Sequence, residues 1–246
     1  MGDAITKIYK KAGINCLTNT KVVSTRDNGS SVTITVENDQ GTQEVIADTC
    51  LVAIGVSPVL PGGEQPKLTD RGWIEINERY ETSISGVHAI GDIAGPPWLA
   101  HTASFEAVQC VDGMFVEGHD VKRVDQFPGC TYCRPQIASI GLTEAQAKAA
   151  GHSTNTGRFN IGANGKALAI NEAEGLVKTV FDSNTGELLG AHMIGPEVTE
   201  QIQGFGIAQQ LEATEQELSH TIFAHPTVSE SMHESVLDSI GLSLHQ

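Results

Sequence analysis

Apolar and polar residues alternate near the start of the chain. Residues 31–37 place Val32, Ile34 and Val36 on one side, and Asn38, Asp39, Gln40 and Gly41 supply turn chemistry before a second run at 42–47. Both read as strands with one buried face. Residues 50–55, Cys-Leu-Val-Ala-Ile-Gly, are continuously apolar and suit a strand buried on both faces. Residues 56–66 hold three prolines and two glycines, a loop and a candidate domain junction. A further strand-like run, 86–92, ends in Gly91-Asp92. After the turn residues Ala94, Gly95, Pro96 and Pro97, residues 101–117 read as a helix with Phe105, Val108, Met114 and Phe115 on its apolar side.

The composition changes around 121–128, which marks a second boundary. Beyond it strands and helices mix. Residues 136–142 form a short strand, and Thr143-Glu144-Ala145-Gln146 is a capping box opening a helix that Gly151 stops. The runs 175–181 and 187–194 flank the turn 182–186 and predict a hairpin. Helices are expected over 198–211, from a second capping box at Thr214-Glu215-Gln216-Glu217, and over 228–240. Strands followed by packed helices, without regular alternation, indicate an α+β terminal domain.

Composition narrows the class. Hydrophobic residues make up 39% of the 246 and charged residues 18%, as in a folded globular protein. Thirty acidic residues against 15 basic give a formal charge of -15, which argues against a nucleic-acid partner. No apolar stretch reaches membrane-spanning length, and the first residues lack the apolar core of a secretory signal, so a cytoplasmic setting is expected. Five unevenly spaced cysteines do not make a secreted disulfide framework.

The chemistry-bearing candidate is His225-Pro226-Thr227-Val228-Ser229-Glu230. An imidazole moves protons near neutrality, and a carboxylate on one ring nitrogen fixes its tautomer. Spacing alone reads more readily as a plain helix start, with Thr227 or Ser229 capping and His225 incidental. Cys130 and Cys133 form a C-x-x-C, but no second pair accompanies them, so they read as incidental thiols and no metal site is expected. Gly204-Phe205-Gly206 follows no strand and lacks the third glycine of a dinucleotide fingerprint.

The run from Phe223 to Glu230 resembles the closing signature of the pyridine-nucleotide disulfide oxidoreductases, and Ser229-Glu230 is most similar to the dihydrolipoamide dehydrogenases among them. The resemblance implies that His225 is an acid–base catalyst oriented by Glu230, the pair being supplied across a homodimer interface. The run from Gly86 to His101 resembles the family's second flavin-binding motif. By that resemblance Asp92 meets the flavin ribityl chain, and Leu99, Ala100 and His101 open a helix aimed at the isoalloxazine. Gly55 then lies at the crossing from nicotinamide to flavin domain. The run from Gly129 to Glu144 resembles the start of the dimerisation domain.

The implied architecture is α/β and α+β. A partial Rossmann-like region comprises the end of an NAD-binding domain (1–57) and a returning FAD-binding segment (58–125). A complete α+β dimerisation domain (126–246) follows. FAD and NAD are the implied cofactors, and lipoyl domains of 2-oxoacid dehydrogenase complexes the implied partners. The implied setting is cytoplasmic, or the mitochondrial matrix in a eukaryote. Two family features are absent from the sequence: no G-x-G-x-x-G follows a strand, and no two cysteines are separated by four residues. Retention of FAD and turnover by this chain alone are therefore not expected. The alternatives are a non-catalytic dimerisation module, or part of a glutathione- or mercuric-reductase-type enzyme.

Overall fold

A computed structural model describes residues 1–245. Helix α1 (Gly2–Lys11) precedes a three-stranded antiparallel sheet of β1 (Lys21–Asp27), β2 (Val32–Asn38) and β3 (Gly41–Ala47), in the order β1-β2-β3. The two expected strands are β2 and β3. Their turn is set by Asn38, whose side-chain oxygen accepts the Gln40 N–H at 2.9 Å, and by Gly41 at φ +111°. Strand β1, whose pairing partner is β2, was not singled out by its mostly polar pattern.

The run 50–55 is not a strand. Leu51, Val52 and Ile54 lie in a loop and are 88%, 70% and 92% exposed. A strand exists through its ladder, and no described strand pairs with this segment. The run 86–92 departs likewise. It makes an isolated bridge between Glu81 and His88, then tightens into a 3-10 turn over Gly91–Ala94.

Helix α2 (Ala100–Phe115) forms close to its expected bounds but buries another face. Thr102, Glu106 and Cys110, at i, i+4 and i+8, are buried, whereas Phe105, Val108, Met114 and Phe115 are exposed. Partners decided this: the buried Glu106 carboxylate accepts the Gly91 N–H at 2.7 Å.

Two compact units emerge from the chain contacts, residues 15–124 and residues 1–14 with everything from Asp125 onward. The second unit is built on β4 (Gly129–Thr131), β5 (Gln136–Gly141), α3 (Glu144–Ala149), β6 (Thr154–Asn160), α4 (Gly165–Ala169), β7 (Leu176–Asp182) and β8 (Leu188–Gly195). Helices α5 (Val198–Gln210), α6 (Glu215–His220) and α7 (Glu230–Ser239) complete it. The antiparallel sheet runs β4-β5-β8-β7-β6. Both capping boxes form, at Thr143–Gln146 and Thr214–Glu217, and the hairpin 182–186 joins β7 to β8 as its turn residues predict. Asp182 closes that turn by accepting the Asn184 N–H at 2.8 Å. Helix α1, strand β6 and helix α4 were not foreseen.

The core lies between this sheet and two helices, α5 against β5 and β8, α7 against β6 and β7. Strand β8 is buried at every position, and Phe181, Leu188, Met193, Ile202, Phe205 and Val236 fill the interior. Burial of each such side chain contributes about 1.5–3 kcal/mol.

One glycine sets how closely α7 approaches. A Cβ on Gly157 of β6 would lie 1.7 Å from the Ser235 carbonyl oxygen of α7. Helix and strand therefore touch backbone to backbone. Thr179 of β7 reinforces the seat by donating its hydroxyl to the same carbonyl at 3.1 Å.

Two outcomes follow. G157A should lower unfolding free energy by about 3 kcal/mol or more, the upper range of overpacking, read as a reduced urea midpoint at constant slope. A loss under about 0.5 kcal/mol, ordinary for a surface site, would contradict the backbone contact. Separately, Glu144 bonds Lys148 at 2.6 Å and Lys178 at 2.5 Å, and these hydrogen bonds lower its pKa to about 2. The folded value lies below the unfolded one, so the unfolded chain binds more protons between them. Glu144's contribution is complete above the unfolded value and lost as pH falls toward about 2. E144Q should flatten stability against pH over that acid range, and an unchanged slope would show that the pairing is absent in solution.

Candidate active site

Helix α7 has a built entrance. Val228 is buried in the core, and buried Asn164 donates its side-chain amide to the Thr227 carbonyl at 3.0 Å. Thr227 in turn donates its hydroxyl to the Ala224 carbonyl at 2.7 Å. The first turn closes through Ser231 N–H to Val228 O at 3.0 Å and Met232 N–H to Ser229 O at 2.9 Å. Ser229 occupies the cap position but makes no side-chain cap bond. Asn164 was missed by sequence reasoning. Its own Asn-cap role in α4, accepting the Ala167 N–H at 2.9 Å, was the only local signal.

On this frame His225 and Glu230 meet. The imidazole Nδ1 lies 2.9 Å from Glu230 Oε1, and Oε2 accepts the Thr227 N–H at 2.9 Å. The His225–Pro226 bond is cis. With Nδ1 turned to the carboxylate, Nε2 faces outward on a side chain that is 78% exposed. Partial burial is the largest influence on Glu230 and would raise its pKa. The Thr227 N–H, the His225 bond and charge, and the charge of His245 together outweigh it, leaving the carboxyl below its usual range. The N-terminal end of α7 favours the same ionised form. The arrangement can hold one imidazole tautomer, expose a basic nitrogen, and stabilise an imidazolium.

The second group of candidates lies in the other unit and is contiguous. Asp92 stands exposed on the 3-10 turn directly before α2, whose N-terminus at Leu99, Ala100 and His101 has no side-chain cap. Gly91 adopts φ +67°, and a Cβ there would approach Ala103 Cβ at 3.1 Å, so turn and helix pack closely. The donor set suits a flavin in kind: a carboxylate for sugar-like hydroxyls and a positive helix end for an electron-rich ring edge. Glu106, which ties this turn to α2 through Gly91, was not read from the sequence. Gly55 adopts φ +121° in its exposed loop, where a Cβ would meet no other atom within 4 Å. The structure does not bring Gly55 into the Asp92 cluster.

The decoys have ordinary places. Cys130 and Cys133 are free thiols directed at the Thr199 and Pro135 carbonyl oxygens, at 3.9 and 3.1 Å. Gly204, Phe205 and Gly206 lie inside α5, with Phe205 in the core. Among the described residues no cluster of three or more His, Cys, Asp or Glu side chains could hold a metal. No described helix is long and apolar enough to cross a membrane.

Residues 127–236 match the pyridine nucleotide-disulphide oxidoreductase dimerisation domain, and residues 1–107 match the pyridine nucleotide-disulphide oxidoreductase family. The chain is 48% identical over 247 residues to dihydrolipoyl dehydrogenase of Rhizobium etli, covering 97% of this chain and 51% of that protein. It is 44% identical to the Zymomonas mobilis dihydrolipoyl dehydrogenase, with coverages of 98% and 53%. It is 37% identical to the mitochondrial dihydrolipoyl dehydrogenase of Pisum sativum, with coverages of 96% and 48%. The chain thus spans about half the length of the curated relatives it matches.

The fold is also that of the HOCl-induced flavoprotein disulfide reductase RclA from Escherichia coli, with TM-score 0.85 at 21% identity, covering 95% of this chain and 54% of that one. LpdA from Mycobacterium tuberculosis matches with TM-score 0.80 at 22% identity, covering 94% and 51%. The chain belongs to the pyridine nucleotide-disulphide oxidoreductase family.

Proposed function

We propose that this chain supplies the proton-handling half of a dihydrolipoamide dehydrogenase active site. The carrying observation is the 2.9 Å bond between His225 Nδ1 and Glu230 Oε1, on a helix entrance fixed by Asn164 and Thr227. Glu230 holds the ring so that Nε2 is the basic atom. As a dihydrolipoyl thiol attacks the disulfide of the site, Nε2 takes the thiol proton and becomes imidazolium. The Glu230 carboxylate stabilises that charge. The second dihydrolipoyl thiol then attacks the resulting mixed disulfide and closes the lipoyl disulfide; its proton ends on the displaced sulfur, leaving the site as one thiol and one thiolate beside the imidazolium. A flavin held by Asp92 and the helix end at Leu99, Ala100 and His101 would supply the electron acceptor between the site sulfurs and NAD.

In this reading residues 1–57 end an NAD-binding domain, 58–125 are a returning FAD-binding segment, and 126–246 are the dimerisation domain. Asp92 accepts bonds from the ribityl hydroxyls, Leu99, Ala100 and His101 present the positive helix end, and Gly55 marks the crossing between domains. His225 and Glu230 are given across a homodimer interface, and lipoyl domains of 2-oxoacid dehydrogenase complexes bring the substrate in the cytoplasm or mitochondrial matrix. No glycine-rich phosphate cradle or paired redox cysteines accompany these residues in the sequence. The chain therefore does not turn over alone. That absence also supports a second reading, a dimerisation module without chemistry.

Two measurements separate the readings. The purified chain with added FAD should show no lipoamide-dependent oxidation of NADH, and turnover at an enzyme's ordinary rate would refute this part. Mixed with the Rhizobium etli relative whose own matching histidine is replaced, the chain should restore lipoamide turnover in the mixed dimer. The H225Q form should restore at least ~100-fold less, the typical weight of a general base. Mixed dimers that form and stay inactive would favour the module.

A further inference from the structure

Helix α7 carries a second carboxylate one turn beyond Glu230. Glu234 is buried, and its spacing of four places it on the same helix face as Glu230. A buried carboxylate is costly unless donors satisfy it. Among the described residues three reach Glu234, all from the segment that follows the helix. The N–H groups of Leu244 and His245 bond Oε2 at 3.0 and 3.1 Å, and His245 Nδ1 lies 2.8 Å from Oε1.

The chain gets there by reversing direction. Gly241 adopts φ +73°, its N–H bonds the Asp238 carbonyl at 3.0 Å, and the Leu242 N–H bonds the Leu237 carbonyl at 2.8 Å. This glycine-centred cap sends the chain back along α7 toward its start. Two imidazoles consequently bond carboxylates four residues apart on α7, His225 bonding Glu230 from the loop before the helix and His245 bonding Glu234 from the segment after it.

We propose that Glu234 clasps residues 241–245 in order to position the Glu230 carboxylate, making a second imidazole–carboxylate pair the support of the first. The clasp ties down the opening turns of α7, where Ser229 offers no side-chain cap. Glu234 and His245 are positioning residues; neither exchanges a proton with substrate. The inference rests on the reading of His225 and Glu230 as the proton-handling pair.

The test uses carbon-detected titration of the Glu230 carboxylate and hydrogen exchange at the Thr227 amide, with thermal midpoints measured alongside. H245A leaves the backbone clasp in place. It should raise the Glu230 pKa, because the charge of His245 helps to lower it. A chain ending at Ser243 strips all three donors from Glu234. Its Thr227 amide should exchange roughly five- to tenfold faster, as expected when about one hydrogen bond's net stabilisation is lost. A clasp that is only structural would lower the midpoint while leaving the Glu230 titration and the Thr227 exchange unchanged, and that result overturns the proposal. Failure of the His225–Glu230 pair would instead show with the clasp intact, as a Glu230 titration indifferent to H225A.

Discussion

The seat of α7 on the sheet is the constraint from which the candidate site follows. Backbone contact at Gly157 and the Thr179 bond to the Ser235 carbonyl fix the height of the helix above β6 and β7. Met232, Val236 and Leu237 bury its apolar stripe. Its first turn then places Glu230 where one oxygen reaches back to Thr227 and the other meets the His225 ring. A histidine this exposed has little packing to orient it. Its geometry is borrowed from a carboxylate, and the carboxylate's geometry from the core. Position is what the fold contributes.

How much was legible in the sequence depended on how local the cause was. The β7–β8 hairpin, the β2–β3 turn and both capping boxes are written in a few adjacent residues, and they form as read. The pairing of His225 with Glu230 was legible from a motif of six residues. Asn164, Glu106, Glu234 and His245 were not, because each acts through a contact whose partner is set by tertiary packing or chain reversal. Strand β6 was hidden for a related reason. Its edge sequence, Thr-Asn-Thr-Gly-Arg-Phe-Asn, has only Gly157 and Phe159 buried, so no apolar alternation announces it.

The errors share one cause. The run 50–55 and the apolar side assigned to α2 were judged by hydrophobicity alone, yet burial requires something to pack against. In the structure Leu51, Val52, Ile54 and Phe115 stay exposed, while a carboxylate, Glu106, is buried because it has an N–H to accept. A continuous apolar run is compatible with a central strand only when neighbouring strands are present to complete its ladder. The exposed apolar run lies in the unit of residues 15–124. The dimerisation unit, by contrast, has a filled core of its own.

The central claim is that Glu230 holds the His225 ring with Nδ1 protonated and Nε2 bare. The most direct measurement is long-range nitrogen–proton correlation on the nitrogen-labelled chain above neutral pH, where the tautomer of each imidazole is read from its two nitrogen shifts. The account predicts that neutral His225 is the Nδ1–H tautomer and that E230Q weakens this preference. A His225 ring that is protonated at Nε2, or that averages freely between tautomers and ignores E230Q, would contradict it.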